Sequence, residues 1–181
     1  MKQSIYAMVL GTIILLYGTG LAVAEQMIDL GNSAIAAFGT DPVLVDAVKK
    51  ENARARTLDE IKVLDQQWAV TQAENEFVKT VLENEIADYL KDIQKQQAYY
   101  AKIFLVDNQG ALVAATNKIS DYWQGDEAQF THTVATGTIQ VSDVEFDPGA
   151  QTYLLQISVP VKDEGAVIGA ITFGIDLRAF Q

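Results

Sequence analysis

Residues 151–176 read QTYLLQISVPVKDEGAVIGAITFGID, and this stretch decides the fold. Two apolar runs flank Lys162-Asp163-Glu164-Gly165, a cluster of turn-forming residues, so the segment is a hairpin of two long strands. With a period of two, Tyr153, Leu155, Ile157, Val159 and Val161 fall on one side, as do Val167, Ile171, Phe173 and Ile175. One sheet face is therefore strongly apolar and needs a cover. The opposite side of the last strand reads Ile168, Ala170, Thr172, Gly174, and these mostly small side chains leave space.

The same period runs back to Tyr99. Residues 103–106 are apolar on both faces, as in a central strand, and Asp107-Asn108-Gln109-Gly110 turns the chain into a second strand at 111–116. Asp147-Pro148-Gly149 separates a strand near 139–146 from the one at 151–161. Five strands joined mostly by hairpins make an antiparallel sheet. Residues 118–137 are too many for a turn and contain a short helix beginning near Asp126.

Ahead of the sheet the period is helical. Asp41-Pro42 is a helix start, with Asp41 as N-cap and Leu44, Ala47 and Val48 on one side. Thr57-Leu58-Asp59-Glu60 fits a capping box and opens a helix carrying Ile61, Leu64 and Trp68. From about 73 to 96, Val78, Val81, Leu82, Ile86, Tyr89, Leu90 and Ile93 keep the spacing of one buried stripe, which predicts a single long helix. Helices followed by strands give an α+β fold. It is a five-stranded antiparallel sheet with a long N-terminal helical region packed on one face.

The chain has 181 residues, 49% of them hydrophobic and 20% charged, a balance that folds. Its net charge of −11 repels phosphate backbones and excludes nucleic acid as a partner. There are no cysteines, which rules out disulfides, a thiol nucleophile and thiolate metal sites. The sole histidine, His132, reads as a surface helix position; no metal or cofactor site is expected. Lys2 precedes an uncharged run ending Ala22-Val23-Ala24, a signal-peptide pattern over residues 1–24 that alternatively serves as an N-terminal membrane anchor. The remainder, 25–181, forms one domain, placed in the periplasm, secreted, or held at the inner membrane by residues 1–24.

The residues from Asp41-Pro-Val-Leu to Val167-Ile-Gly-Ala-Ile171, with Asp121-Tyr-Trp-Gln-Gly-Asp126 at their centre, resemble the single Cache domains, extracellular PAS-like (PDC-type) sensors. The resemblance implies a PAS-like sheet, no catalysis and no cofactor. It also implies a small polar organic ligand beneath the 121–126 segment and a separate membrane-bound signalling protein as partner. Homodimerisation through the N-terminal helices is a further expectation. Amino-acid-binding members carry an Arg beside the aromatic pair. Here Ile119-Ser120-Asp121 precedes it, which argues against an amino-acid ligand. The chain also ends at Gln181 without the usual second membrane span, so it is expected to act in trans or through an anchored N-terminus.

The expected ligand-binding residues are Thr116, Asn117, Lys118, Tyr122, Trp123, Asp126, Asp143 and Thr172. Each has a plainer role open to it. Tyr122 and Trp123 are pocket floor or packing anchors, Asp126 a ligand contact or a helix cap, and Lys118 a carboxylate partner or a solvated loop lysine. At Asp143 the apolar phase slips, so its carboxylate points inward or a bulge turns it out. A non-catalytic protein of the same fold without an exchangeable ligand is the alternative function. A hydrolase would have only Asp126 and Asp143 to offer.

Overall fold

In the computed structural model, residues 25–147 and 149–180 are described; the expected leader, residues 1–24, lies outside them. Residues 25–40 form a continuous helical segment, wide at Gly31–Ile35 and tight at Ala36–Thr40. Four helices follow: α1 (Pro42–Asn52), α2 (Leu58–Val70), α3 (Glu76–Leu82) and α4 (Glu85–Gln94). Strands β1 (Tyr100–Val106) and β2 (Leu112–Ala115) precede helix α5 (Ala128–Thr136). After it come β3 (Gln140–Val141), β4 (Glu145–Asp147), β5 (Thr152–Asp163) and β6 (Ala166–Asp176). The sheet order is β2-β1-β6-β5-β3, with β4 also on the outer edge of β5, and every pair is antiparallel. The expected strand at 139–146 is thus two short ones, interrupted at 142–144.

Local chemistry sets the first helix boundaries. Asp41 Oδ1 accepts the Val43 and Leu44 N–H groups, and Thr57 and Glu60 form a reciprocal capping box. The expected long helix over 73–96 is instead two. Asn84 ends the first and caps the second, accepting the Ala87 N–H while its amide donates to the Val113 carbonyl 3.0 Å away. The cap and this tertiary tie to β2 outweigh a continuous apolar stripe.

Two cores flank the sheet. On the first face Leu155, Ile157, Val159 and Phe173 are covered by Met27, Ile35, Leu44 and Val48, while Ala87, Leu90 and Ile93 close over Ile103 and Ala114. Helix α4 therefore lies on β1 and β2 rather than on β5, as its apolar stripe led us to expect; the 31–40 segment covers β5. Gly39 makes that approach possible, since a Cβ there would stand 2.5 Å from the Pro160 carbonyl oxygen. On the second face α2 and α3 bring Ile61, Trp68, Val78 and Val81 onto Phe104, Val106 and Ala170. Ala170, one of the small residues of β6, is buried there in the same cluster as Trp68.

Candidate functional site

The second face stays open farther along β6. Lys102, Gly174 and Gln156 stand side by side on β1, β6 and β5. A Cβ on Gly174 would meet Lys102 Cγ at 2.6 Å, so glycine here lets the lysine lie flat across its neighbour. The lysine is 8% exposed, and its Nζ reaches Asp147 Oδ2 on β4 at 2.5 Å. Burial raises the Asp147 carboxyl. The Lys102 hydrogen bond and the backbone donors of Ala150 and Gly149 outweigh this and hold it below its ordinary value.

Above this row lies a cavity of about 320 Å³. Phe104 and Leu154 complete its floor, Ile119, Gln124 and Glu127 roof it, and Ser142, Glu145 and Phe146 form one wall. Gln129 on α5 donates to Gln156 Oε1 at 3.3 Å and so joins roof to floor. One ammonium faces three carboxylates in the lining. Glu127, the N-cap residue of α5, makes no side-chain cap hydrogen bond. Burial raises its carboxyl above the ordinary value, and the fields of Asp126, Asp121 and Glu145 push the same way. Such a lining favours a cation. Among the described residues no group of three or more His, Cys, Asp or Glu is placed to hold a metal ion.

The roof is latched to the β1–β2 turn. Asp65 Oδ1 accepts the Tyr122 and Trp123 N–H groups at 2.8 and 3.0 Å, and the Trp123 indole donates to the Gln109 carbonyl at 2.8 Å. Gly110, at φ +86°, accepts the Gln124 N–H and packs so closely on Gly125 that a Cβ would lie 2.5 Å from the latter's backbone. Buried Asp107 organises the turn by accepting the Gln109 and Ala111 N–H groups.

The structure separates the sequence-derived candidates. Thr116 Oγ1 accepts the Ile103 N–H and donates to Asn117 Oδ1, a strand-end clasp. Lys118 Nζ sits 5.0 Å from the Trp68 ring centre, and Trp123 lies under Lys62 at the same distance. Thr172 is buried and bonded to Ser158 at 2.7 Å. Asp126 is exposed and one residue short of the N-cap position, so the helix begins at Ala128 and not at 126. Asp143 is exposed in the break between β3 and β4, where the phase slip turns it outward. None of the eight lines this cavity; Tyr122 lines a different one. Lys102, Glu127 and Gln156 escaped the sequence reading. The legible signal was Gly174 inside an apolar strand, which marks a close approach by another group.

A family model for methyl-accepting chemotaxis protein-like domains, specifically the first PDC sensor domain, matches residues 74–181. The chain belongs to that PDC sensor family. Its fold is shared with the extracellular domain of the histidine kinase candidate vpHK1S-Z8, at TM-score 0.54 and 13% identity over 94% of this chain and 59% of that one. Two further solved structures are more distant in shape. One is the Vibrio cholerae DctB histidine kinase sensor domain, at TM-score 0.45 and 18% identity over 91% and 58% of the two chains. The other is the ligand-binding domain of the Campylobacter jejuni chemoreceptor Tlp3 in complex with 4-methylisoleucine, at TM-score 0.43 and 15% identity over 74% and 54%. The chain spans just over half the length of these structures. No curated protein sequence matches it. Among the described residues of this PDC domain, no helix is long and apolar enough to cross a membrane.

Proposed function

We propose that this PDC domain is an extracytoplasmic sensor that binds a small polar organic molecule carrying a cationic group in the cavity over Lys102, Gly174 and Gln156. The supporting observation is a cavity roofed by the 119–129 segment in which Glu127 and Glu145 outnumber an ammonium already paired with Asp147. A ligand amine would sit against Glu127, with Gln124, Gln129 and Gln156 supplying neutral hydrogen bonds. Asp126 adds to the negative field at that end. Binding would draw roof and β4 wall together and pass the change to a separate membrane-bound signalling protein. The reaction is recognition, without turnover. Residues 1–24 would direct export, leaving a mature chain from Glu25.

A thermal-shift screen of residues 25–181 against small amines, amino acids and dicarboxylates tests the binding. Amines should raise the melting temperature, and Glu127→Gln should weaken them about tenfold, the loss of one charge-assisted hydrogen bond. No stabilisation by any of the three classes would instead support a structural protein whose cavity the Lys102–Asp147 pair fills on its own. Intact-mass analysis of the exported protein would show the mature start.

A further inference from the structure

A second cavity, of about 900 Å³, opens at the outer edge of β2 and shares no lining residue with the first. Its apolar wall is Leu64, Phe77, Val81, Ile86 and Leu112. Tyr122 closes the inner end. The ring packs against Trp68 and Phe77 at centroid distances of 6.0 and 5.4 Å, and the residue is 2% exposed. Its hydroxyl makes no hydrogen bond to any described residue. The charges whose fields reach it are those of Arg56, Glu51, Asp107 and Arg54. The residue is buried but lines the cavity, so its phenol is available to a molecule bound there.

Three of the chain's 13 basic side chains, Lys50, Arg54 and Arg56, line this cavity within seven positions of sequence. Glu51 pairs with both arginines, with Arg54 at 3.3 Å, yet its own side chain is only 10% exposed, while those of Arg54 and Arg56 keep 60% and 25% exposed and accessible. Asp46 and Glu85 also line the cavity, and Asn84 and Thr80 add neutral polar groups. The arrangement is two accessible guanidiniums and one phenolic hydroxyl beside an apolar trough, which is complementary to an amphipathic acid.

We propose that this cavity is a second binding site, for an organic carboxylate with an apolar body, whose head is taken by Arg54, Arg56 and the Tyr122 hydroxyl. The site is independent of the first. Arginine forks suit a carboxylate, and the trough accepts an aryl or short alkyl group.

The test is calorimetric titration of residues 25–181 with phenylacetate, using 2-phenylethanol and phenethylamine as neutral and cationic counterparts. Phenylacetate should bind and both counterparts should bind at least tenfold more weakly, as expected when a charge-assisted contact is lost. Tyr122→Phe keeps the ring and should cost several-fold in affinity; Arg54→Gln, at an exposed position that the fold does not need, should cost about tenfold. Glu127→Gln in the first cavity, which should not weaken the fold, should leave phenylacetate binding unchanged. Absence of phenylacetate binding, equal binding of the alcohol, or sensitivity to Glu127→Gln in place of Arg54→Gln would overturn the proposal.

Discussion

Lys102 carries a full charge to a nearly buried place where Asp147 is its ion-pair partner, and Gly174 is what makes the crossing possible. Removing one partner of a buried pair leaves the other uncompensated. Asp147→Asn should therefore destabilise the protein, toward the lower end of the usual range of about 3–5 kcal/mol because Asp147 keeps some solvent. The pH dependence carries a sign. The folded Asp147 carboxyl lies below its ordinary 3.8, so its stabilisation is complete above that value and is lost as pH falls through the lower, folded one. Urea midpoints from pH 2 to 7 should show this acid limb in the parent and a shallower one in Asp147→Asn. Glu127 has the opposite sign: its folded carboxyl is raised above 4.5, so ionisation works against folding. Glu127→Gln should raise the urea midpoint at pH 7, and the gain should vanish below pH 4.5. A midpoint unchanged at both ends would mean that Glu127 is fully solvated.

At the scale of elements, Asn84 is worth more than an ordinary cap because it also donates to Thr80 and Val113 carbonyls and so pins α4 to β2. Asn84→Ala should cost about 2 kcal/mol, whereas Asn75→Ala, which removes only the cap of α3, should cost about 1 kcal/mol. Guanidinium denaturation of the two variants measures the difference, and equal costs would reduce Asn84 to its cap. This position also shows what the sequence could and could not reveal. The Asp41 and Thr57 caps and the β5–β6 hairpin were legible because their causes lie within a few residues. The α3–α4 break was not, since Val81, Ile86 and Leu90 keep helical phase through it and the deciding partner, Val113, is 29 positions away. The candidate site divides the same way. Residues 118–137 were readable as a long connection with a short helix, and their place over the sheet came from the family resemblance. The cavity over Lys102, Gly174 and Gln156 was not legible, because nothing local says that Lys102 crosses Gly174. Trp68, fully buried with its indole donating to the Ile119 carbonyl, should cost about 3–5 kcal/mol when replaced by Ala.

For the whole molecule, the family match begins at residue 74, yet both cores are completed by residues before it. On one face Met27, Ile35, Leu44, Ala47 and Val48 cover the β5–β6 hairpin; on the other Ile61 and Trp68 cover Phe104 and Ala170. Polar ties follow the same path: Asn52 donates to the Ile168 carbonyl and accepts the Asn108 N–H, while Asp65 holds the roof at Tyr122 and Trp123. A fragment of residues 74–181 keeps α3 and α4 but would uncover much of both apolar faces of its sheet and lose the anchor of its roof. Each large side chain left without cover forfeits about 1.5–3 kcal/mol of burial, and the several concerned exceed the 5–15 kcal/mol that holds a typical domain together. Residues 74–181 should therefore show no cooperative thermal transition and should bind a hydrophobic dye, while residues 25–181 unfold in one sharp step. Circular dichroism and dye fluorescence on the two chains decide it. A cooperative transition in the shorter chain would mean that the helices before residue 74 dock on a sheet that is already stable, and the two-face packing described here would then serve the cavities rather than the fold.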